Sequence, residues 1–138
     1  MINHQVYLGL GSNLGDCRKN LERAIRLIGD RVGQVTRQSS FIETEPWGFE
    51  SPNKFMNAVI LCETTKTPRE VLKLTQQIER DMGRRKKSVA GGYADRPIDI
   101  DILLYDDLNV DEPDLKIPHP LMHERDFVMR PLNEIKLL

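Results

Sequence analysis

Alternating apolar and polar residues give the stretch 96–105 a clear strand signal. Apolar side chains recur at every second position from Ile98 to Leu104, and Asp99 and Asp101 stand between them. Successive side chains of a strand point to opposite faces, so we expect Leu104 and the isoleucines on one face and both aspartates on the other. A half-exposed strand whose acids only keep its polar face solvated would show the same alternation. The pattern alone leaves both interpretations open.

Further periodicities predict the other elements. Period-two or continuously apolar runs rich in β-formers predict strands over 5–10, 34–44 and 55–65. Apolar residues at helical spacing predict one helix after Asp16 and another from Thr67 to Gly83. The resulting order, β-α-β-β-α-β, predicts an α+β fold of the ferredoxin-like kind, with two helices packed on one antiparallel sheet.

Capping residues mark the ends of both helices. Asp16 is a good N-cap for the first helix, which Gly29 or Gly33 can end. The second helix has Thr67 as N-cap and Glu70 three residues later, which is the sequence of a capping box. Its predicted buried stripe consists of Val71, Leu74, Thr75, Ile78 and Met82.

The C-terminal extension after Tyr105 carries weaker signals. We predict a turn at 106–109, extended chain at 115–120, and short helical turns within 122–127 and 131–135. No internal repeat or low-complexity segment divides the sequence, and its length suits one core. We therefore expect residues 1–138 to form a single domain.

The composition excludes several classes of protein. Among 138 residues, 30% are charged and 39% hydrophobic, the net charge is −1 and the pI is about 6.3. With no global basic field, we expect no nucleic-acid partner and no anionic membrane partner. There is no long apolar run, no signal-peptide layout and no cysteine cluster, since Cys17 and Cys62 are the only cysteines. We expect a monomeric cytoplasmic protein.

The glycines after the first strand do not make a nucleotide-binding fingerprint. Gly9 and Gly11 would need a third glycine where this chain has Leu14, and no G-x-x-x-x-G-K-[ST] sequence occurs. The glycines are therefore predicted to serve tight turns and close backbone approach.

Cations close to the aspartate pair favour chemistry on phosphates. Arg84 to Lys87 precede the aspartate strand, Arg96 opens it, and Arg125 follows in the extension. Phosphoryl transfer needs carboxylates for Mg²⁺ together with fixed cations for the phosphoryl oxygens. A solvated basic face would use the same residues, so the cations alone do not decide the function.

Aromatic side chains in predicted loops favour a flat substrate. Trp47 and Tyr93 lie in loops, where they could stack on a heteroaromatic ring. Phe55, at a strand start, could equally be a core residue. Asn57 shares the strand face of Phe55 and could pair with a ring edge.

Five sequence blocks together resemble the 6-hydroxymethyl-7,8-dihydropterin pyrophosphokinase family. In chain order they run over residues 9–16, 55–58, 83–84, 96–103 and 117–128, the last including Ile117-Pro118-His119-Pro120 and Arg125-Asp126-Phe127-Val128. The match keeps the family's order and extends from Leu8 to Leu132.

The resemblance implies a Mg-ATP-dependent diphosphokinase of folate biosynthesis. Such a transferase moves pyrophosphate from ATP to the pterin hydroxymethyl group and releases AMP. ATP is then a co-substrate, and two Mg²⁺ ions are the cofactor.

The resemblance also implies the site residues. The implied catalytic residues are Arg84, Arg96, Asp99 and Asp101, the two aspartates being the metal ligands. The implied ATP-binding residues are Gln76, Arg84, Lys86, Arg96, Ile102, His119 and Arg125. The implied pterin-binding residues are Thr44, Pro46, Trp47, Phe55, Asn57, Tyr93 and Phe127, with the rings of Phe55 and Phe127 enclosing the pterin.

The chain departs from the family pattern in one loop. Residues 86–95 are less basic than is usual in the family, and a lysine at position 86 keeps the charge of an arginine but loses its bidentate fork. This loop therefore offers phosphates fewer cations than the family pattern does.

Two other functions use a similar element order. An RNA-recognition fold would need a basic, aromatic strand motif, which residues 54–59 match poorly in this nearly neutral chain. A small-molecule-sensing regulatory domain would not need two carboxylates flanked by arginines.

Overall fold

The computed structural model describes residues 3–45, 53–83 and 95–136. In chain order the elements are β1 (His4–Ser12), α1 (Cys17–Arg31), β2 (Gln34–Gln38), β3 (Ile42–Thr44), β4 (Phe55–Thr64), α2 (Pro68–Asp81), β5 (Asp99–Tyr105), β6 (Val110–Glu112), β7 (Leu115–Ile117) and α3 (Asp126–Ile135). A short 3-10 turn, Met122–Glu124, precedes α3.

The main sheet has the strand order β2-β4-β1-β5, and all its pairs are antiparallel. This arrangement confirms the predicted α+β, ferredoxin-like fold. The predicted strand 34–44 is instead two strands, β2 and β3, which both pair with β4. The break falls at Ser39, whose N–H donates to the Val59 carbonyl and whose Oγ accepts from the Val59 N–H, each at 2.9 Å.

Each face of the sheet carries its own core. One face packs against α1 and α2, and its buried residues include Val6, Leu8, Leu10, Leu21, Ile28, Ile60, Val71, Ile78, Ile98, Ile100 and Ile102. The other face packs against α3, and its buried residues are Tyr7, Val59, Leu61, Leu103, Met122, Val128, Leu132 and Ile135. The predicted burial of β4 on both faces is confirmed, because its successive side chains enter the two cores in turn.

A bulge in β5 changes which side chains face each core. Leu8 pairs with Ile102 but Tyr7 pairs with Leu104, so Leu103 is an extra residue in β5. Leu103 and Leu104 both pack on the α3 side, and Tyr105 returns to the α1–α2 side. The prediction that Leu104 shares a face with the isoleucines is therefore wrong.

The helix ends follow the capping residues. The capping box of Thr67 and Glu70 is formed, and Gly83 follows α2 with φ +100°, a conformation that glycine adopts without strain. Helix α1 begins after its N-cap Asp16 and passes through Gly29, so Gly29 does not end it. Gly33 lies just beyond the end, where a Cβ atom would overlap the Glu63 carbonyl oxygen.

The C-terminal extension contributes to both cores: Leu115 and Ile117 of β7 are buried in the α1–α2 core, and α3 covers the other face of the sheet. Strands β6 and β7 form an antiparallel hairpin, which Arg69 of α2 holds through Glu112 and, at 2.8 Å, Asp114. Two short helical turns were predicted beyond it. The 3-10 turn Met122–Glu124 confirms the first, within 122–127, whereas the second, at 131–135, belongs to a longer helix, α3, which runs unbroken from Asp126 through Pro131. A proline inside a helix removes one backbone hydrogen bond, and burial of the apolar side of α3 offsets that loss.

No disulfide joins the two cysteines, which both lie within the described residues. Cys17 and Cys62 are both free. Burial, followed by the negative charge of Glu63, raises the pKa of the Cys62 thiol to about 11, so the thiol stays protonated near neutral pH. Among the described helices, none has the length and apolar character needed to cross a bilayer.

The two glycines near the end of α1 allow a matched stability test. Gly33→Ala should lower the free energy of unfolding by about 1–3 kcal/mol, because the new methyl group must displace backbone. Gly29→Ala, where nothing lies within 4 Å of the added Cβ, should raise it by about 0.5–1 kcal/mol. Urea unfolding of both variants and the parent measures this difference. Equal stabilities for Gly33→Ala and the parent would contradict the close approach.

Candidate active site

A cleft opens on the α3 side of the sheet, beside the N-terminal end of α3. Its floor is formed by β1, β4 and β5, and it encloses about 590 Å³, open mouth included. Eight residues singled out from the sequence line it: Thr44, Phe55, Asn57, Arg96, Asp99, Asp101, Arg125 and Phe127. The fold thus gathers residues from four separate parts of the chain around one space.

Glycines of β1 make room at the floor of this cleft. Gly11 pairs with Asp99 on one side and with Asn57 on the other, while Gly9 pairs with Asp101. Paired residues of an antiparallel sheet project from the same face, so the polar side chains stand beside positions that have none. A Cβ atom at Gly11 would lie 3.0 Å from Asn57 Oδ1 and 3.5 Å from the Phe55 ring. Close backbone approach was predicted here, although β1 continues through Ser12 rather than ending at Leu10.

The carboxylates of Asp99 and Asp101 face the cleft from alternate positions of β5. Their side chains are 23% and 26% exposed, whereas the isoleucine between them is buried in the α1–α2 core. The predicted division of β5 into an apolar face and an aspartate face is confirmed along this part of the strand. Two carboxylates on one face suit Mg²⁺, which takes one or two protein carboxylates and completes its shell with water and phosphate oxygens. In the described ranges no third His, Cys, Asp or Glu joins them.

Each carboxylate faces a buried arginine. Arg96 Nη1 lies 3.5 Å from Asp99 Oδ2, and Arg125 Nη1 lies 4.0 Å from Asp101 Oδ2. Both distances exceed the roughly 2.7–2.9 Å of a direct charge-assisted hydrogen bond. The opposite charges are therefore close enough to attract each other, but these pairs of atoms are too far apart for a direct hydrogen bond.

Each of these arginines also faces an aromatic ring. The guanidinium carbon of Arg96 lies 5.5 Å from the centre of the Phe55 ring, and that of Arg125 lies 5.7 Å from the Phe127 ring. Both distances are within the range of cation–π attraction. The cleft therefore contains two similar sets of groups, each made of a carboxylate, a guanidinium and a phenyl ring, with the guanidinium close to both of the others. Such a grouping suits a ligand that carries both phosphates and a flat ring.

A short hydrogen bond joins the polar residues beside the rings. Asn57 Nδ2 donates to Thr44 Oγ1 at 2.7 Å, and Thr44 pairs with Phe55 across β3 and β4. This bond fixes the side-chain amide in β4, where it could recognise donors and acceptors on a ring edge.

Sequence reasoning missed the buried Asn13, which holds Arg96 in place. The Arg96 N–H donates to Asn13 Oδ1 at 2.8 Å, and the Asn13 N–H donates to the Arg96 carbonyl at 3.1 Å. Asparagine in a turn often bonds to backbone, which was the available signal, but the sequence does not reveal a partner 83 residues away.

Glu79 was missed as well. Its carboxylate is buried at the end of α2 and accepts the Ile100 N–H at 2.8 Å, on the outer edge of β5 between the two aspartates. Glu79 follows Thr75 and Val71 at steps of four, so helical spacing already placed it on the buried side of α2.

Three of the residues assigned to ATP lie away from the cleft lining. Gln76 is half-buried on α2, and the His119 N–H donates to the Leu103 carbonyl at 3.0 Å. Ile102 is 6% exposed within the α1–α2 core, so any ligand contact there would come from its backbone. Five further candidates lie outside the described residues: Pro46, Trp47, Arg84, Lys86 and Tyr93.

Known proteins resemble this chain along nearly its whole length. A family model described as 7,8-dihydro-6-hydroxymethylpterin-pyrophosphokinase (HPPK) matches residues 7–137. A 2-amino-4-hydroxy-6-hydroxymethyldihydropteridine pyrophosphokinase of Porphyromonas gingivalis is 51% identical over 131 residues, covering 94% of this chain and 89% of that protein. A protein of the same name from Bacillus subtilis is 41% identical over 135 residues, covering 97% and 79%.

A solved structure supports the fold. An HPPK-DHPS crystal structure in complex with substrates matches with a TM-score of 0.80 at 14% identity, covering 98% of this chain and 40% of that one. The chain thus spans about two-fifths of that protein, and at this identity the likeness establishes the fold alone. Because the family match extends over residues 7–137, the chain belongs to the 7,8-dihydro-6-hydroxymethylpterin-pyrophosphokinase family.

Proposed function

We propose that this chain transfers a pyrophosphoryl group from ATP to the hydroxymethyl group of 6-hydroxymethyl-7,8-dihydropterin, forming AMP and the pterin diphosphate. The observation that carries the proposal is the shared cleft, where the two carboxylates and two buried arginines stand beside two phenyl rings. Family membership and the names of its relatives support the same reaction. Neither an RNA-binding domain nor a sensor domain needs this combination of groups.

The reaction exchanges one phosphorus–oxygen bond for another. The hydroxymethyl oxygen bonds to the β-phosphorus of ATP and loses its proton to solvent, while the bond from that phosphorus to the oxygen shared with the α-phosphate breaks and AMP leaves with that oxygen. Such a reaction needs in-line positioning and neutralisation of charge more than it needs a covalent enzyme intermediate. Arg96 and Arg125 lie within the cleft as fixed, buried cations for the phosphate oxygens.

Asp99 and Asp101 would hold magnesium, and we propose two ions. Bound Mg²⁺ supplies further neutralisation of the triphosphate charge. The two side chains are half-exposed on one strand face, next to cations that can meet the same phosphates. Because both side chains extend from β5, that strand would set the position of the metal relative to the arginines.

The pterin would bind between Phe55 and Phe127. Stacking of a bicyclic ring on phenyl rings is favourable, and Asn57 and Thr44 offer polar atoms to its edge. On the family resemblance we also propose further binding residues. For ATP these are Gln76, Arg84, Lys86, Ile102 and His119, and for the pterin they are Pro46, Trp47 and Tyr93. We also predict that the protein is a monomeric, single-domain protein of the cytoplasm. We predict that it binds neither nucleic acid nor membranes.

AMP formation tests the reaction directly. We expect the purified chain to form AMP from ATP and Mg²⁺ only when 6-hydroxymethyl-7,8-dihydropterin is present, with one pterin diphosphate per AMP. Chromatography of the nucleotides and pterins measures both products. AMP that forms equally without the pterin, or no AMP at all, would reject the proposed function.

The aspartate pair can be tested without disturbing the core. Asp101→Asn should lower kcat by about 100-fold or more, because a metal ligand is replaced by a neutral amide. The variant should stay folded with a modestly lower melting temperature, because its amide no longer offsets the charge of Arg125 but the two groups are 4.0 Å apart and Asp101 is part-exposed. Asp107→Asn, in an exposed turn, is the matched control and should keep parental kcat. Normal turnover by Asp101→Asn at saturating Mg²⁺ would exclude Asp101 as a required ligand.

Two phenylalanines that each lie against an arginine side chain allow a test of ring stacking on the pterin. Phe127 lines the cleft beneath Arg125, while Phe41 lies beneath Arg18, with 5.0 Å from the guanidinium carbon to the ring centre, and outside the cleft. Phe127→Leu should raise the Kd for the pterin about 10-fold and leave the Kd for ATP within about twofold. Phe41→Leu should change neither, as calorimetry can measure. Equal pterin affinities for Phe127→Leu and the parent would remove Phe127 from the pterin site.

A further inference from the structure

The carboxylate of Asp95 joins two segments whose near neighbours, Gly11 and Phe55, line the cleft. Asn13 Nδ2 donates to its Oδ1 at 2.7 Å, and Asn53 Nδ2 donates to its Oδ2 at 2.9 Å. Asn13 belongs to the loop between β1 and α1, whereas Asn53 lies just before β4. One half-buried side chain therefore links three stretches of chain that are distant in sequence.

One arm of this link ends at Arg96. Asn13 bonds to both backbone groups of Arg96, through its own N–H and its Oδ1. Since that Oδ1 already accepts the Arg96 N–H, the Asn13 side chain has a fixed orientation and its Nδ2 must point to Asp95. The backbone from which the Arg96 guanidinium extends is thus held from two sides.

The other arm ends beside Phe55. Asn53 precedes Phe55 by two residues, and the Phe55 ring lies 5.5 Å from the Arg96 guanidinium carbon. The ring and the guanidinium both line the cleft. Asp95 therefore connects the backbone that carries the ring with the backbone that carries the cation.

We propose that Asp95 is a positioning residue, which fixes the spacing between the pterin-stacking ring of Phe55 and the phosphate-binding cation of Arg96. The inference rests on the proposed function. Pyrophosphoryl transfer requires the pterin oxygen and the β-phosphorus to meet in line, and a displacement of about 1 Å can cost about 100-fold in rate. Asp95 touches neither substrate in this role and acts through Asn13 and Asn53.

A double-mutant cycle distinguishes this role from a general effect on stability. Asp95→Ala removes both arms and should lower kcat about 10- to 100-fold, with the Kd for ATP nearly unchanged. In an Arg96→Ala background the same substitution should lower kcat less than about threefold, because the group that it positions is already missing. Asp107→Ala, in an exposed turn, is the control and should keep parental kcat in both backgrounds.

The conservative substitution provides a rescue. In Asp95→Asn the new amide oxygen can still accept from Asn13, and the Asn53 amide can turn over to accept from the new Nδ2. We therefore expect Asp95→Asn to stay within about threefold of parental kcat. Asn53→Ala, which removes one arm and leaves Asn13 bonded to Arg96, should lower kcat and gives an independent measurement if Asp95→Ala does not fold.

The outcomes separate the inference from the proposed function. A parent that forms AMP while Asp95→Ala or Asn53→Ala retains its kcat overturns the positioning role alone. The positioning role is also overturned if Asp95→Ala lowers kcat by the same factor in the Arg96→Ala background as in the parent. It is overturned as well if Asp95→Asn has a kcat as low as that of Asp95→Ala. A parent that forms no AMP overturns the proposed function and this inference with it.

Discussion

The pairing register of β5 with β1 is the constraint on which the cleft depends. Asp99 faces Gly11 and Asp101 faces Gly9, so each carboxylate stands next to a position without a side chain. A slip of one residue would turn the isoleucines of β5 into the cleft and the aspartates into the core. Each buried isoleucine contributes about 1.5–3 kcal/mol, and this burial holds the register. The core on one face of the sheet therefore fixes the chemistry on the other.

The bulge at Leu103 separates a polar part of β5, which faces the cleft, from an apolar part, which packs into the two cores. Before the bulge, the α3-side face of β5 carries Asp99 and Asp101. At the bulge an extra leucine joins that face, so Leu103 and Leu104 both enter the apolar cluster on the α3 side. Helix α3 itself packs chiefly on β4, and its N-terminal end lies at the edge of the polar region, where Phe127 lines the cleft. One backbone irregularity thus helps to set where the covered part of the sheet ends and the open part begins.

Much of the fold could be predicted because its signals are local. Capping residues and apolar periodicity located α2, and alternation located the aspartate face of β5, since both patterns depend on neighbours within one element. The features that were missed depend on distant partners. The bulge that moves Leu104 is defined only against β1, and α3 tolerates Pro131 because the proline and the apolar residues beside it are buried against the sheet. In the site, the aspartates, arginines and aromatic residues could be singled out from the sequence. The hydrogen bond between Asn13 and Asp95 could not, because it joins segments about 80 residues apart.

The charges in the cleft explain how such a site can stay folded without ligand and still receive a polyphosphate. Burying a guanidinium is costly unless an opposite charge stands near it, and Asp99 and Asp101 serve Arg96 and Arg125 in this way. In the proposed reaction the carboxylates would hold magnesium and the arginines would bind phosphate oxygens, so each charge would exchange one opposite partner for another. The separations of 3.5 and 4.0 Å are longer than those of direct charge-assisted hydrogen bonds. Cations that the fold has already buried and oriented would need little rearrangement as charge developed on the phosphates of the proposed substrate.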